Sequence, residues 1–216
     1  MTRIMLRPVA SPLPLGFFAF GIGLALTSTL DMGLLAPSET RHVALLLLAF
    51  VAPLELFAAA LAFFARDTAA GTTLGLFGAS WVALALSLLA TTPGAPNPAL
   101  GVFLFADAGA MALLAISATA AKPFFSALLT LACARFVLTG LAEVGLGHGL
   151  RFAAAIVGWC DTALAFYGAV ALLLEDLRHA TVLPLFRRRG ARTAIEGGVA
   201  EQVRELAREA GVREQL

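Results

Sequence analysis

Charged residues are scarce in this chain: Asp, Glu, Lys and Arg together make up only 13% of its 216 residues. A soluble globular domain has about 25% charged residues and is close to half apolar. Here 60% of the residues are hydrophobic, and the mean hydropathy is +0.89. These values exclude an ordinary soluble domain and indicate an integral membrane protein surrounded by a lipid bilayer.

Cysteine and histidine are also scarce, with two cysteines and three histidines in the chain. None of them shows the paired spacing that a metal site requires. Cys133 and Cys160 both lie within apolar segments, whereas disulfides belong to oxidising aqueous faces. We therefore expect no bound metal, no cofactor and no disulfide framework.

Two further classes of function lack the residues that they need. The acidic residues stand singly in separate apolar segments, and no Ser/His or His-rich group is present to act as nucleophile and base. An enzyme is therefore not expected. The basic residues lie beside apolar segments without interleaved aromatic residues, so nucleic-acid binding is not expected either.

Long apolar segments account for most of the chain. A helix of roughly 20 apolar residues crosses the hydrocarbon core of a bilayer, and stretches rich in Pro, Gly and charge separate the segments here. The six segments cover residues 14–35, 42–65, 71–92, 99–120, 123–146 and 152–175. The predicted fold is an all-α, integral membrane bundle of six helices, formed by residues 14–176.

Positive charge is divided unequally between the two ends of such a bundle. One end has only Arg41 and Arg151. The other end has Arg3, Arg7, Arg66, Lys122, Arg178 and the arginines of the 187–192 cluster. By the positive-inside rule, both termini are cytoplasmic in an inner (plasma) membrane. Residues 1–13 then form a short cytoplasmic N-terminus, and residues 177–216 form a cytoplasmic tail that is first basic. Over 194–216 the pattern fits an amphipathic helix, a partly disordered tail or a solvated charged tail without a specific function.

Arg135 lies in the middle of an apolar segment. A cation near the bilayer midplane costs at least about 2.5–3.5 kcal/mol, unless it meets a partner or a water-filled path. Three other segments each have an acid near the midpoint: Glu55, Asp107 and Asp161. These positions predict a charged or wet interior, as in a transporter or channel.

The same charges allow a second interpretation. An ion pair between Arg135 and Asp107 or Asp161 would fix the helix packing in a structural or regulatory membrane protein that conducts nothing. However, three carboxylates for one arginine leave at least one acid without a strong partner. An unpartnered carboxyl group in a low dielectric favours its protonated form, as a proton relay requires. The sequence leaves both interpretations open.

The first apolar segment has a distinct inner face. Gly16, Phe20, Gly23, Thr27 and Asp31 recur every three or four residues, so they share one side of a helix. The small residues allow another helix to approach closely. Thr27 and Asp31 make one end of this face polar.

Five stretches over residues 11–185 stand out: SPLPLGFFAFG at 11–21, FGASW at 77–81, LGVFL at 100–104, AFY at 165–167 and TVLP at 181–184. In this order and spacing they resemble the acetate uptake transporters, the YaaH/SatP type of acetate/succinate–proton symporters. That family opens with Asn-Pro-x-Pro-Leu-Gly and has a Tyr-Gly-x-x-Trp motif, to which the first two stretches correspond. The other three resemble its fourth helix, last helix and tail.

This resemblance implies a homo-hexamer in which each protomer has its own pathway for a small carboxylate, with protons as the coupled partner. The family has a hydrophobic constriction midway along that pathway. The corresponding positions here are Phe20, Phe77 and Leu131, the last of which lies one turn before Arg135.

Several residues depart from the family pattern. Ser11 replaces the opening Asn, Phe77 replaces the Tyr of the constriction, and Glu55 stands where the better-known members have Gln. At the positions of Asp107, Arg135 and Asp161, the family pattern leads one to expect mostly apolar or small residues. The candidate residues for substrate binding or proton coupling are Arg135, Glu55, Asp107, Asp161, Ser11 and Thr27. Among them, we predict that Arg135 binds the carboxylate in a bidentate way and that one of the three acids takes the proton.

Overall fold

The computed structural model describes residues 10–178, 180–188 and 192. Within these residues there are seven α-helices and no β-strand. The helices are α1 (Leu13–Asp31), α2 (Thr40–Leu46), α3 (Ala52–Phe64), α4 (Thr68–Ala90), α5 (Pro98–Ala118), α6 (Pro123–Glu143) and α7 (His148–Arg178). They form six spans that are long and apolar enough to cross a membrane, because α2 and α3 belong to one span. The prediction of an all-α, six-helix membrane bundle is confirmed.

The helix ends follow local sequence signals. The side chain of Asp67 caps α4 by accepting the amide of Ala70 at 3.1 Å, and that of Asn97 caps α5. α1 ends at Asp31 rather than at residue 35, because Gly33 adopts a φ of +71° and turns the chain. The predicted helix over 194–216 lies outside the described residues.

The second span contains a π-helical turn over Leu47–Val51, just before Pro53. Proline has no N–H to donate and its ring crowds the preceding turn, so the regular hydrogen-bond ladder is interrupted. The amide of Ala52 bonds to the carbonyl of Leu47, five residues back. A π turn changes the face on which the following residues lie. The side chain of Glu55, one turn further on, is directed to the interior and is fully buried.

The six spans pack as a closed ring. From one neighbour to the next, the order is α1, α3, α4, α5, α6, α7 and back to α1. α1, α4 and α6 are therefore alternate members of the ring. Side chains that meet from these three helices lie on the axis of the bundle.

One end of the bundle, called here the basic end, holds the start of α1 and the α3–α4 and α5–α6 turns. Lys122 Nζ lies 2.8 Å from Asp67 Oδ2 and joins these two turns. Residues 180–188 fold back over this end. The contacts that hold them are Tyr167 Oη to Pro184 O (3.0 Å), Arg188 N to Ala121 O (2.9 Å) and an ion pair between Arg187 and Glu175.

At the opposite end, Glu143 links the end of α6 to α7 and to the turn between α4 and α5. Its Oε1 lies 2.9 Å from Arg151 Nη2, and its Oε2 accepts the amide of Asn97 at 2.9 Å. The side chain of Asn97 in turn donates to Ser87 Oγ at 2.8 Å. The distribution of charge between the two ends agrees with the predicted topology, and the cytoplasmic location of the basic end stays a prediction.

Candidate functional site

Four aromatic side chains meet on the axis and are called here the ring cluster: Phe20, Phe77, Trp81 and Phe136. Phe20 stacks on Phe77, with ring centroids 4.3 Å apart and an interplanar angle of 27°. Phe77 meets Phe136 edge to face at 6.1 Å, and Phe20 lies 6.2 Å from Trp81. The cluster joins α1, α4 and α6, and Phe20 and Phe77 are almost completely buried.

Leu131 is not among the side chains that pack against the core containing the ring cluster. The α6 side chains in or against that core include Leu128, Leu129, Ala132 and Phe136, whereas Leu131 is only half-buried. At 100° per residue these four positions share one face of α6, and Leu131 lies to its side. The role of Leu131 stays a prediction without a supporting contact, and Phe136 stands beside Phe77 instead.

Arg135 extends from α6 across the inner face of α7 to reach α1. Its Nη1 donates to Ser28 Oγ at 2.6 Å and to the carbonyl of Ala154 at 3.2 Å. Its Nη2 donates to Thr27 Oγ1 at 2.8 Å and lies 3.3 Å from Asp31 Oδ2. The buried guanidinium therefore links α6 to α1, two helices that are not neighbours in the ring.

Among the described residues, the acid within ion-pair distance of Arg135 is thus Asp31. Asp161 interacts with the guanidinium at longer range, and Asp107 bonds to Ser80 instead. The acids predicted as partners lie near span midpoints, whereas Asp31 is the last residue of α1. The signal was present, because Thr27 and Asp31 share a face. Of the other candidates, Thr27 does meet Arg135, whereas Ser11 is exposed ahead of α1.

Gly158 provides the space that the guanidinium occupies on α7. A Cβ added at this position would overlap Arg135 Nη1 and the hydroxyl of Ser28. Only glycine lets the charged group lie this close to the helix backbone. Sequence reasoning missed Gly158, Ser28 and Phe136, although a glycine in mid-helix often marks a close approach.

The three mid-span acids have different surroundings. Asp107 accepts a hydrogen bond from Ser80 Oγ at 2.5 Å, across the seam between α4 and α5. Asp161 is fully buried on α7 within electrostatic range of Arg135, but neither of its carboxyl oxygens has a hydrogen-bond partner. Glu55 is also fully buried and without a hydrogen bond to either oxygen. Among the described residues, Asp107 therefore has a hydrogen-bond partner, whereas Asp161 and Glu55 have none.

Glu55 lies beside the ring cluster. The indole N–H of Trp81 is near enough to interact electrostatically with the Glu55 carboxyl group, but no well-formed hydrogen bond joins them. The Trp81 ring lies against Gly23, where an added Cβ would be 2.8 Å from the ring. An unsatisfied acid and an unsatisfied donor therefore adjoin the rings on the axis, an arrangement that costs free energy in a packed interior.

Comparison with known proteins decides the family. The sequence profile of the GPR1/FUN34/yaaH family matches residues 1–187. The chain belongs to this family. A solved structure of the bacterial acetate channel SatP matches with a TM-score of 0.74 and 22% sequence identity, covering 82% of this chain and 99% of that chain. No curated protein sequence matches significantly.

Membership of the GPR1/FUN34/yaaH family confirms the resemblance found in the sequence. This family member is a multi-pass membrane protein, with six apolar spans in the part of the chain that the structure describes. The similarity to SatP shows that the two proteins share a fold.

Proposed function

We propose that this protein carries small carboxylates of the acetate or succinate class across the inner (plasma) membrane, coupled to protons. The observation that carries the proposal is the position of Arg135, a buried cation on the inner side of the ring of helices. Thr27, which it contacts, is seven residues from Phe20 on α1, or roughly 10 Å along the helix axis. The candidate carboxylate site at Arg135 and the ring cluster that would close the pathway thus lie one after the other along the bundle axis. The matched structure is described as an acetate channel.

In this proposal, the carboxylate enters from the end of the bundle that lies opposite the basic end, and it binds the guanidinium of Arg135. Two parallel N–H···O bonds suit a planar carboxylate, and Arg is the residue best shaped to form them. The hydroxyl groups of Thr27 and Ser28 already touch the guanidinium and hold it in place. The ring cluster then acts as the hydrophobic constriction that excludes water, with Phe136 rather than Leu131 as its α6 member.

We assign the proton to Glu55 among the three acids. Asp107 has a hydrogen-bond donor in Ser80, and Asp161 has the charge of Arg135 nearby. Among the described residues Glu55 forms no hydrogen bond and has no cation nearby, only the unbonded indole N–H of Trp81, and an isolated ionised carboxylate is far more costly to bury than a protonated one. Glu55 therefore has to be protonated whenever the interior is closed to water. This property suits a proton-coupling site beside the constriction.

The variant Glu55→Gln is expected to abolish the stimulation of uptake by an inward proton gradient, because an amide cannot gain or lose the proton. The matched control is Asp107→Asn, which makes the same change at the acid bonded to Ser80 and should keep the stimulation. The measurement compares initial uptake rates with and without the gradient. If Glu55→Gln keeps the stimulation and Asp161→Asn loses it, the assignment moves to Asp161.

The function itself is tested by uptake of labelled acetate and succinate into proteoliposomes that hold the purified protein. Saturable uptake above that of empty liposomes, increased by an inward proton gradient, is the expected result. Empty liposomes are essential because neutral acetic acid crosses lipid unaided. Uptake equal to this leak for every short carboxylate would contradict the proposal.

The remaining parts of the proposal are a hexameric assembly, cytoplasmic termini, residues 14–176 as the transport domain, and the absence of catalytic chemistry. The assembly rests on the resemblance to the family, and the other three rest on the distribution of positive charge, the apolar segments and the residue types of the sequence. Cross-linking in native membranes tests the assembly. Labelling of cysteines placed in the 91–97 and 119–122 turns tests the orientation, because only one of the two turns should react from outside the cell.

One observation favours a second candidate, a structural or regulatory membrane protein with the same fold. Arg135 has four acceptors within the chain, as expected of a clamp that fixes three helices. In that case, replacing Arg135 lowers stability, and no variant conducts any carboxylate. Flux and thermal stability measured on the same preparations separate the two candidates.

A further inference from the structure

The side chain of Asp31 is chemically a tethered acetate. Beyond Cα it consists of one CH₂ group and one carboxylate, the same fragment as an acetate ion with one hydrogen replaced by the chain. This fragment lies against Arg135, the buried cation to which the proposed function assigns the substrate carboxylate.

The Asp31 carboxylate is also the outermost group of the site. Its side chain is 20% exposed, whereas that of Arg135 is 6% exposed. Asp31 ends α1 at the end of the bundle opposite the basic end, so its carboxylate lies nearer to that surface than the guanidinium does. In the proposed pathway, the carboxylate therefore stands at the entrance to the cation.

The contact between Asp31 and Arg135 is the longest of those that the guanidinium makes. Nη2 lies 3.3 Å from a single carboxylate oxygen, compared with 2.8 Å to Thr27 and 2.6 Å to Ser28. Charge-assisted N–H···O bonds usually measure about 2.7–2.9 Å and are often bidentate between arginine and a carboxylate. Asp31 thus accepts from only one N–H group of Arg135, and over a longer distance than is usual for such a pair.

A second cation is available to the acid when it leaves Arg135. Arg151 is within electrostatic range of Asp31 and is itself held at 2.9 Å by Glu143, whose negative charge partly offsets that of Arg151. A displaced Asp31 carboxylate can turn towards Arg151 and water without losing all compensation of its charge. Displacement is therefore less costly than removal of a fully buried partner.

We propose that Asp31 is a resident competitor for the substrate site: it occupies Arg135 when no substrate is bound, and an incoming short carboxylate displaces it. This inference rests on the proposed function, in which Arg135 binds the substrate. The return of Asp31 to Arg135 then helps to expel the substrate. The space that Asp31 vacates has the size of a two-carbon acid, which favours short unbranched carboxylates.

The variant Asp31→Asn tests the competition, because its amide oxygen can still accept from Arg135 but has no charge. The KM for acetate uptake is expected to fall by roughly tenfold, the scale of one charge-assisted hydrogen bond. The maximal rate is expected to fall as well, because release is no longer assisted. The matched control Asp67→Asn changes another ion-paired acid at the basic end, and it should leave KM unchanged.

A second measurement needs no flux and also covers a variant that folds poorly. In Asp31→Ala the tethered carboxylate is gone, so free acetate should bind beside Arg135 and raise the thermal unfolding midpoint of the purified variant. The shift should exceed that of the wild-type protein, and chloride at equal ionic strength should not reproduce it. Asp31→Ala combined with Arg135→Gln should lose the shift.

The results separate the two proposals. A normal or higher KM in Asp31→Asn, or an Asp31→Ala protein that acetate stabilises no more than chloride does, overturns the competitor role even if the wild-type protein transports acetate. If the wild-type protein transports no carboxylate, the transport function fails. Acetate-specific stabilisation of Asp31→Ala would then still establish the exchange of carboxylates at Arg135.

Discussion

Arg135→Ala is expected to abolish saturable carboxylate uptake. In the proposed function the guanidinium forms two hydrogen bonds to the carboxylate, and each hydrogen bond to a charged group contributes about 1.5–3 kcal/mol, so their loss weakens binding by at least roughly 100-fold. The variant also leaves Asp31, Thr27 and Ser28 without their donor. Loss of one partner of a buried ion pair costs about 3–5 kcal/mol, a value reduced here because Asp31 can reach water.

Two controls separate binding from folding. Arg135→Lys keeps the positive charge but not the planar fork of donors, so we expect a folded protein with reduced uptake and a raised KM. Arg178→Ala removes an exposed arginine at the basic end of α7, away from the candidate site. It should keep most of the uptake. A well-folded Arg135→Ala protein with unchanged uptake would exclude Arg135 from the pathway.

Gly158→Ala disturbs the same site without changing its charge. The added methyl group overlaps the guanidinium and the Ser28 hydroxyl, so Arg135 must leave its position over α7. Uptake should fall as it does in Arg135→Lys, while the amount of folded protein in the membrane changes little. Gly149→Ala on the same helix is the control, because an added Cβ there meets no atom within 4 Å.

Phe77→Ala is expected to have the second largest effect, a loss of selectivity. Phe77 is the ring that contacts both Phe20 and Phe136, so its removal opens the centre of the ring cluster. A hydrophobic constriction works by excluding water. Uptake should rise severalfold, lose its dependence on a proton gradient and extend to longer carboxylates. The cavity also lowers stability by about 3–5 kcal/mol.

Phe166→Ala is the matched control for this experiment. Phe166 is 37% exposed and its ring contacts Phe18, 5.8 Å away, outside the ring cluster. The same truncation at this position should leave selectivity unchanged. If Phe77→Ala keeps saturable, gradient-dependent uptake of acetate alone, the ring cluster is a packing core and the constriction lies elsewhere.

The interior of this protein contains more charge than a packing core requires. Arg135, Asp161 and Glu55 are all nearly or fully buried, and the two acids have no hydrogen-bond partner. Buried charges in membrane helices are costly, and they mark substrate or ion pathways more often than structural contacts. Here Asp31 pairs with Arg135, and Glu55 adjoins the ring cluster through Trp81.

The sequence alone determined the membrane fold of this protein. Apolar segments of bilayer length, separated by Pro, Gly and charge, specify six spans, because each span satisfies its own backbone hydrogen bonds and depends little on its neighbours. The motifs at 11–21 and 77–81 are likewise short, continuous stretches, so they identified the family without any knowledge of the tertiary structure. Helical spacing also placed Phe20 and Thr27 on one inner face of α1.

Only the tertiary structure decided how those faces meet. Helical spacing shows which residues share a side of one helix, but it does not show which helix lies opposite. The order of the ring brings α1, α4 and α6 to the axis, and this order selects Phe136 as the neighbour of Phe77. The gap at Gly158 lets Arg135 cross α7 to Asp31, a partner 104 positions away in the chain. A long side chain reaches the partner that helix packing makes accessible, and that packing depends on all six spans together.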